Sequence, residues 1–457
     1  MEPAFIIFVL GVNVVLWTVI GGIRLTTERL AGPPARTTRS TVPPDRRLSP
    51  ADVAVLIPAH NEEPVLAATI QSVRRQVPAS NIHVVADGCD DATAEIARAA
   101  GTNVLELNPG LGKAGGIEAA VERFDLPNRY AVLLIVDADT ELADDYLERG
   151  LPLLDQPGVV ALAGYARASW RPQELTSVGR FLISYRTRLY AVMQWLKYGQ
   201  TWRWTNVTAI IPGFASMYRT SVLRTMDLNP PGLIIEDFNM TFEIHHRRLG
   251  KIAFRPAVYA LTQDPDNLRD YYRQVMRWHI GFWQTLNRHG FWPSGFSAAL
   301  ALFLAEMLIA SVGIVLLLAA VAVLTLAVLF NQAALAVGWL AEPLGIVDIY
   351  PTLLIALLFV AGLDYLLTCL TALAYRRPSL LLYGFGFLLV RFLDATATLR
   401  AITMASTISS GQWTSPTRRP VTALPEPEPP VMQSARVTLA EPPPAAKDES
   451  TGRGQSA

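Results

Sequence analysis

One apolar run constrains the fold of this chain more than any other feature of its sequence. Residues 131–136 are apolar without interruption, and the run ends at Asp137 and Asp139. Such a run predicts a strand that is buried on both faces of a parallel sheet. Open α/β sheets bind ligands at the carboxyl ends of their strands, where these two acids fall. The pair suits Mg²⁺ or Mn²⁺ shared with a diphosphate, and two solvated acids in a turn are the alternative.

The same order of strand, acidic cluster and helix occurs earlier in the chain. Strands are predicted at residues 53–58, 82–86 and 104–107, with helices at 64–76 and 92–100 between them. Glu62 follows the first strand and Asp87 ends the second. The alternation predicts an α/β domain with a mostly parallel, doubly wound sheet that binds a nucleotide. Because a fold does not need carboxylates at the same end of three strands, the acids indicate a ligand site.

The glycine-rich residues 108–116 invite comparison with a phosphate-binding P-loop. The comparison fails because Ala114 follows Lys113, where a P-loop carries a hydroxyl that binds the metal. Backbone N–H groups and the lysine charge can still contact a phosphate. A plain turn before a helix is the alternative.

The composition predicts a membrane protein that carries one soluble domain. The 457 residues include 39 basic and 39 acidic side chains, so no nucleic-acid partner is expected. Residues 4–22 are apolar enough to cross a bilayer, and the arginines after them predict that the next domain lies in the cytoplasm. The predicted parts are an anchor at 1–23, a linker at 24–51, a cytoplasmic domain with interfacial helices at 52–290, transmembrane helices at 291–405 and a Pro-rich disordered tail at 406–457.

Charged residues interrupt the apolar segments of the last third. Residues 297–330 and 351–375 are predicted to cross the membrane, whereas 380–402 either crosses or is re-entrant. Glu306, Asp364, Arg391 and Asp394 fall in these segments. Because ionisable groups in a bilayer are costly, they either pair, as Arg391 and Asp394 could one helical turn apart, or line a hydrated groove.

Residues 176–198 predict an amphipathic helix. Apolar side chains recur every three or four residues, and Arg180, Arg186, Arg188 and Lys197 lie elsewhere on the helical wheel. A basic, aromatic helix of this kind is expected on the bilayer surface. Packing onto the sheet is the alternative.

Several of these motifs occur in the order found in the family 2 glycosyltransferases, and the chain resembles that family. They lie at residues 57–62, 85–93, 112–115, 137–139 and 234–237. Gln274, Arg277 and Trp278 match the Gln-x-x-Arg-Trp signature of membrane-embedded members such as cellulose, chitin, hyaluronan and poly-N-acetylglucosamine synthases. The resemblance covers about residues 53–283 and implies a GT-A domain inserted between transmembrane helices.

The resemblance also implies a role for each motif, with a UDP-sugar as the donor and inversion at the anomeric centre. Asp139, helped by Asp137, would hold Mg²⁺ or Mn²⁺. Asp237 would be the general base, beside Glu236, and capping a helix is its alternative role. The other implied contacts are Lys113 and Arg277 with the diphosphate, Pro58, Ala59, His60, Glu62 and Asp87 with the uridine, and Gly213, Phe214, Ser216, Gln274 and Trp278 with the acceptor.

Three functions are consistent with these features. The expected function is processive synthesis and export of a polysaccharide at the plasma membrane, with membrane lipids around the helices and the need for an accessory export protein left open. The alternative is transfer of one sugar to a lipid. A non-catalytic protein on the same fold is the third, and the presence of every acid that the chemistry needs argues against it.

Overall fold

The computed structural model describes residues 19–23, 26–27, 47–198, 202, 205–330, 346–408 and 416–421. Most of the predicted anchor, of the linker and of the tail lies outside these residues. The described part therefore comprises nearly all of the predicted domain and most of the C-terminal helices.

An eight-stranded sheet forms the centre of the described domain, with its strands in the order β3-β2-β1-β4-β7-β6-β8-β5. The strands are β1 (Val53–Ala59), β2 (Ile82–Asp87), β3 (Asn103–Leu107), β4 (Val132–Val136), β5 (Thr140–Leu142), β6 (Val159–Ala168), β7 (Ala215–Arg219) and β8 (Lys251–Thr262). The helices around it are α1 (Leu66–Arg74), α2 (Thr93–Ala99), α3 (Gly112–Arg123), α4 (Leu126–Arg129), α5 (Tyr146–Leu154), α6 (Ser177–Val192), α7 (Thr220–Leu223), α8 (Glu236–His246) and α9 (Leu268–His289).

The N-terminal half of the sheet has the predicted pattern. β3, β2, β1 and β4 are parallel neighbours, and helices connect them. Every residue of β1, β2 and β4 is buried. Because both faces of these strands are covered, their sequences are mostly apolar without alternation, and the exceptions are His83 and Asp87 of β2. This arrangement brings the carboxyl ends of β1, β2 and β4 to one edge of the sheet.

The C-terminal half of the sheet is mixed, so the prediction of a mostly parallel sheet is wrong there. β7 is antiparallel to both of its neighbours, β4 and β6. β8 is parallel to β6, and β5 is antiparallel to β8. Buried strands have the same apolar composition in either direction, and the path of the connecting chain decides the direction.

The amphipathic helix predicted at 176–198 is α6, extended by a π-helical turn at Met193–Tyr198. It begins after Thr176, whose side chain accepts a hydrogen bond from the Gly179 N–H. Arg186 and Arg188, expected to face the bilayer surface, are buried. The helix packs with β6, and its side chains share an apolar cluster with α9 and the C-terminal helices. This part of the helix therefore packs onto the sheet, which was the alternative to a position on the bilayer surface.

The described residues after the domain form the helices α10 (Gly295–Phe330), α11 (Ile346–Ala374), α12 (Ser379–Gly384) and α13 (Phe387–Met404). Among the described helices, two are long and apolar enough to cross a membrane, over Gly295–Leu326 and Pro351–Ala374. The apolar segment at 380–402 is broken between α12 and α13. The buried side chains of α13 pack against α9 in one apolar cluster, so this helix lies along the domain.

The charged residues of these helices pair with the domain. The Arg391 Nη1 lies 2.7 Å from the Asp364 Oδ1, so the predicted pairing of Arg391 with Asp394 is wrong. Asp364 also binds Arg188 of α6, and Asp394 accepts hydrogen bonds from Tyr185 of α6 and Tyr271 of α9. A further ion pair joins Glu306 to Lys197 at 2.5 Å. These contacts favour the account in which the charges hold the helices in register.

Candidate active site

The site lies where β1, β2 and β4 end. After β4 the chain makes a turn in which the Thr140 N–H donates to the Asp137 carbonyl. The Asp137 N–H donates to the Phe214 carbonyl at 2.9 Å, which joins this turn to the segment before β7. The structure thus brings the predicted metal-binding acids beside Gly213 and Phe214.

Lys113 forms ion pairs with two acids in this site, one after β4 and one at the start of α8. It is the second residue of α3, and its Nζ lies 2.8 Å from the Asp137 Oδ1 and 2.8 Å from the Glu236 Oε1. Burial alone would lower the pKa of Lys113, but these two carboxylates raise it above its usual value. The lysine is therefore charged at neutral pH. Its contact with a diphosphate stays a prediction, and its position between Asp137 and Glu236 is compatible with that contact.

Asp87 has a structural contact that the sequence did not indicate. Its two carboxylate oxygens accept hydrogen bonds from the N–H groups of Leu111 and Gly112, at 2.6 and 2.8 Å. These bonds hold the glycine-rich loop that leads to Lys113. A Cβ at Gly110 would lie only 3.1 Å from the Asp87 Oδ2, so the loop needs a glycine for its close approach. The uridine contact expected of Asp87 would have to be made beside these bonds.

The residues expected to pack near the base lie together. Pro58 and Ala59 pair with Val85 and Ala86 in the parallel ladder of β1 and β2. The His60 Nδ1 lies 2.6 Å from the carbonyl oxygen of Asp87. The ends of these two strands thus form one surface beside the glycine-rich loop.

Asp237 and Glu236 begin α8. The N-cap position of this helix is Ile235, so the capping role considered for Asp237 is wrong. The Asp237 Oδ2 instead accepts a hydrogen bond from the Gly213 N–H at 3.0 Å. Its Oδ1 is buried and has no hydrogen-bond partner among the described residues. A buried carboxylate oxygen without a donor is unusual and can accept a hydrogen bond from a ligand.

The surroundings of Asp237 set its charge. Burial and the neighbouring carboxylate of Glu236 raise the pKa of Asp237 to about 7, against the opposing effect of Lys113. Burial would also raise the pKa of Glu236, but the Lys113 ammonium holds it below its usual value. Glu236 therefore stays charged, and Asp237 titrates near neutral pH. A pKa close to the working pH is what a general base needs.

Gly213 has no room for a side chain. A Cβ there would lie 3.0 Å from the Lys113 Nζ, 3.1 Å from the Glu236 Oε1 and 3.4 Å from the Asp237 Cβ. The glycine therefore allows these three side chains to meet. Ser216, also assigned to the acceptor, is buried and donates to the Pro212 carbonyl at 2.6 Å.

The Gln-x-x-Arg-Trp residues lie on α9, which packs closely against the start of α8. A Cβ at Gly281 would lie 2.8 Å from the Cβ of Ile235. The charge of Arg277 contributes to the low pKa of Glu236. The Gln274 Oε1 accepts a hydrogen bond from Arg186 at 2.8 Å, and the Trp278 ring lies 4.5 Å from the Arg186 guanidinium carbon.

Part of the tail predicted to be disordered lies in this site. The Arg418 guanidinium donates to both carboxylate oxygens of Glu62, at 2.7 and 2.9 Å, and its Nη1 lies 2.5 Å from the Asp139 Oδ2. Both acids are ones that the sequence assigned to the donor or its metal. Their buried charges explain why this stretch is ordered, because a desolvated carboxylate needs a cation or hydrogen bonds.

Arg419, the next residue, also makes contacts that hold this part of the tail in place. The Arg419 N–H donates to the Gln263 Oε1 and the Arg419 carbonyl accepts from the Gln263 Nε2, at 2.8 and 3.0 Å. The Arg419 Nη1 lies 2.8 Å from an Asp266 carboxylate oxygen. Sequence reasoning missed these contacts because it judged the tail by its prolines. The adjacent arginines, between Pro416 and Pro420, were the available signal.

We expect R418A to strengthen binding of UDP with Mn²⁺ by ~5-fold, equivalent to about 1 kcal/mol. A divalent cation and the Arg418 guanidinium both require the Asp139 carboxylate, so removing the arginine removes a competitor. Calorimetry of the full-length protein with UDP and Mn²⁺ measures the change. R419A is the matched control, since Arg419 contacts Asp266 instead, and equal affinities in R418A and the wild type would contradict the prediction.

The residues present fit a divalent metal shared with a substrate. No three His, Cys, Asp or Glu side chains are grouped as a complete metal site in the described part of the chain. Mg²⁺, however, is commonly held by one or two carboxylates together with substrate phosphates and water. Burial raises the pKa of Asp139, and the nearby Arg418 opposes this rise. Asp137 and Asp139 are the residues that would supply oxygen ligands to such an ion.

Comparisons with known proteins agree with this geometry. The model of glycosyl transferase family 2 matches residues 54–226. The probable glycosyltransferase YdaM of Bacillus subtilis is 28% identical over 242 residues, which cover 50% of this chain and 54% of that protein. The undecaprenyl-phosphate mannosyltransferase of Micrococcus luteus is 30% identical over 205 residues, which cover 44% of this chain and 79% of that protein.

The chain spans about half the length of the first curated relatives that it matches. Among solved structures, a mannosyltransferase from Pyrobaculum calidifontis in complex with GDP-Man and Mn²⁺ is 17% identical, with a TM-score of 0.47. That alignment covers 85% of this chain and 99% of the mannosyltransferase.

Proposed function

Because the chain belongs to glycosyl transferase family 2, we propose that it transfers a hexose from a UDP-sugar to a lipid acceptor at a membrane, with inversion of the anomeric centre. The observation that carries the proposal is the buried, unpartnered Oδ1 of Asp237. It belongs to a carboxylate with a pKa of about 7, next to the lysine that contacts Asp137. The carboxylate that would act as the base and the lysine charge near the leaving group therefore both lie beside Gly213.

Each residue has a distinct task in this reaction. Asp137 and Asp139 would hold Mg²⁺ or Mn²⁺, which neutralises the charge of the diphosphate leaving group. Lys113 and Arg277 place positive charge near the same group. Asp237 accepts at its Oδ1 the proton from the attacking O–H of the acceptor, which is a lipid hydroxyl or the protonated oxygen of a lipid monophosphate. The acceptor oxygen bonds to the anomeric carbon as the bond from that carbon to the diphosphate breaks and the nucleoside diphosphate leaves. Gly213 keeps the space between these groups free of a side chain.

A lipid acceptor has more support than the polysaccharide expected from the sequence. The M. luteus relative is named for transfer to undecaprenyl phosphate. In this chain, Glu306, Asp364 and Asp394 are engaged by Lys197, Arg188 and two tyrosines. Acids that are paired or hydrogen-bonded within the protein in this way are not available to line a hydrated conduit. The two candidate membrane helices would hold the domain against the lipid surface.

We further propose that the domain faces the cytoplasm and that α10 and α11 both cross the membrane. Arg376 and Arg377 follow α11 directly, which is typical of a cytoplasmic helix end. Nucleotide sugars would then reach the site from the cytoplasm, and the lipid acceptor from the inner leaflet. α13, which packs against α9, would lie at the cytoplasmic side.

The test uses the purified full-length protein in nanodiscs containing either undecaprenyl phosphate or diacylglycerol. A panel of UDP- and GDP-sugars is added with Mn²⁺, and mass spectrometry identifies the products. We expect one hexose added to one of the two lipids, from a UDP-sugar. A ladder of products with many sugars would contradict the lipid proposal and support polysaccharide synthesis. Transfer from a GDP-sugar alone would contradict the choice of donor.

A further inference from the structure

Arg186 is the largest side chain that is fully buried among the described residues. It extends from the middle of α6. Removing a guanidinium from water is costly unless charges or hydrogen bonds compensate it. Its nearest acid is Asp264, whose Oδ1 lies 3.7 Å from the Arg186 Nε, beyond hydrogen-bond distance. The contact with Asp264 alone therefore does not compensate for the burial of the Arg186 guanidinium.

The short contacts of Arg186 are with one face of α9. Its Nη2 donates to the Gln274 Oε1 at 2.8 Å. Its guanidinium carbon lies 4.4 Å from the centre of the Tyr271 ring and 4.5 Å from that of Trp278. These three residues are three and four positions apart, so they share a side of the helix. The other N–H atoms of Arg186, at Nε and Nη1, have no hydrogen-bond partner in the described part of the chain.

We propose that Arg186 is a positioning residue for the acceptor side of the site, holding the Gln274 amide and the Trp278 ring in the orientation that receives the acceptor. This inference rests on the proposed function and on the family resemblance, which implies that Gln274 and Trp278 contact the acceptor. A planar guanidinium can hydrogen-bond in its plane while its faces contact aromatic rings. A lysine ammonium is a compact point charge without such a plane, so it does not reproduce this combination of an in-plane hydrogen bond and ring contacts. Replacing Arg186 with lysine therefore keeps the positive charge and removes the planar group.

Arg188 supplies a matched control. It lies on the same helix, is also buried and carries the same charge. Its partners differ, because its Nη1 binds the Asp364 side chain at 2.5 Å and its guanidinium lies over the rings of Tyr185 and Phe387. Replacing Arg188 with lysine therefore disturbs the same helix without removing a contact to Gln274 or Trp278.

The first measurement is steady-state kinetics of R186K and R188K in nanodiscs, with whichever of undecaprenyl phosphate, diacylglycerol or a sugar primer the wild type uses. We expect R186K to raise the KM for the acceptor by ~10-fold or more, a typical effect of misplacing a contact group. Its affinity for UDP with Mn²⁺ should stay within about twofold of the wild-type value. R188K should leave the acceptor KM unchanged. A wild-type acceptor KM in R186K, or an equal loss of UDP affinity, would overturn the positioning role.

The second measurement does not depend on activity. The protein is labelled with 5-fluorotryptophan, and the ¹⁹F resonance of Trp278 is assigned by its loss in W278F. We expect R186K to shift or broaden this resonance, and R188K to leave it in place. An unmoved Trp278 resonance in R186K would overturn the proposal even if no acceptor were found. Transfer to a sugar primer instead of a lipid would contradict only the proposed function.

Discussion

Replacing Asp139 with asparagine is expected to abolish sugar transfer and to weaken binding of UDP with Mn²⁺ by ~10²-fold or more. The metal and the diphosphate bind as one unit, so losing a charged ligand of the metal weakens the binding of both. The side chain of Asp139 is only 7% exposed, and burial raises its pKa. An amide of the same shape should therefore fit without unfolding the domain. Product formation and calorimetry measure the two effects.

The control for this substitution is D144N. Asp144 lies five residues later, is largely exposed and pairs with Arg75 at the surface. It should retain wild-type transfer, because an exposed ion pair contributes little. Thermal unfolding of both variants checks that they fold. Full activity of the wild type in excess EDTA would contradict the metal assignment, whatever D139N shows.

Replacing Asp237 with asparagine is expected to lower turnover by ~10²-fold or more while UDP affinity survives. The base acts on the acceptor, whereas the donor contacts lie with Lys113 and the acids after β4. An asparagine oxygen can still accept the Gly213 N–H, so the start of α8 should keep its structure. Loss of UDP binding together with activity would instead make Asp237 a donor ligand.

The pH dependence gives the second measurement of the same prediction. Asp237 works as a base only when deprotonated, and its pKa is raised to about 7. Wild-type turnover should therefore fall about tenfold per unit below pH 7 and reach a plateau above it. The residual turnover of D237N should not follow this curve. E243Q on the same helix, where Glu243 pairs with Arg247, should keep the wild-type profile.

The sequence alone determined the N-terminal half of the sheet. Uninterrupted apolar runs of this length are typical of strands covered on both faces, and β1 and β4 are such strands. Acids that follow buried strands must lie at their carboxyl edge. For this reason the positions of Glu62, Asp87 and Asp139 in the sequence were enough to assign them to one site. The family resemblance rested on the same local motifs and agrees with the family model.

Only the tertiary structure decided which partners these side chains meet. Residues far apart in the chain decide the direction of β7 and the burial of Arg186. The ion pair of Asp364 with Arg188 also joins distant parts of the chain. The same holds for Arg418, which reaches Glu62 across 356 positions. Local patterns report which side chains avoid water, but a buried charge takes whichever opposite charge the folded chain brings near it. That choice depends on the path of the whole chain and has no local signal in the sequence.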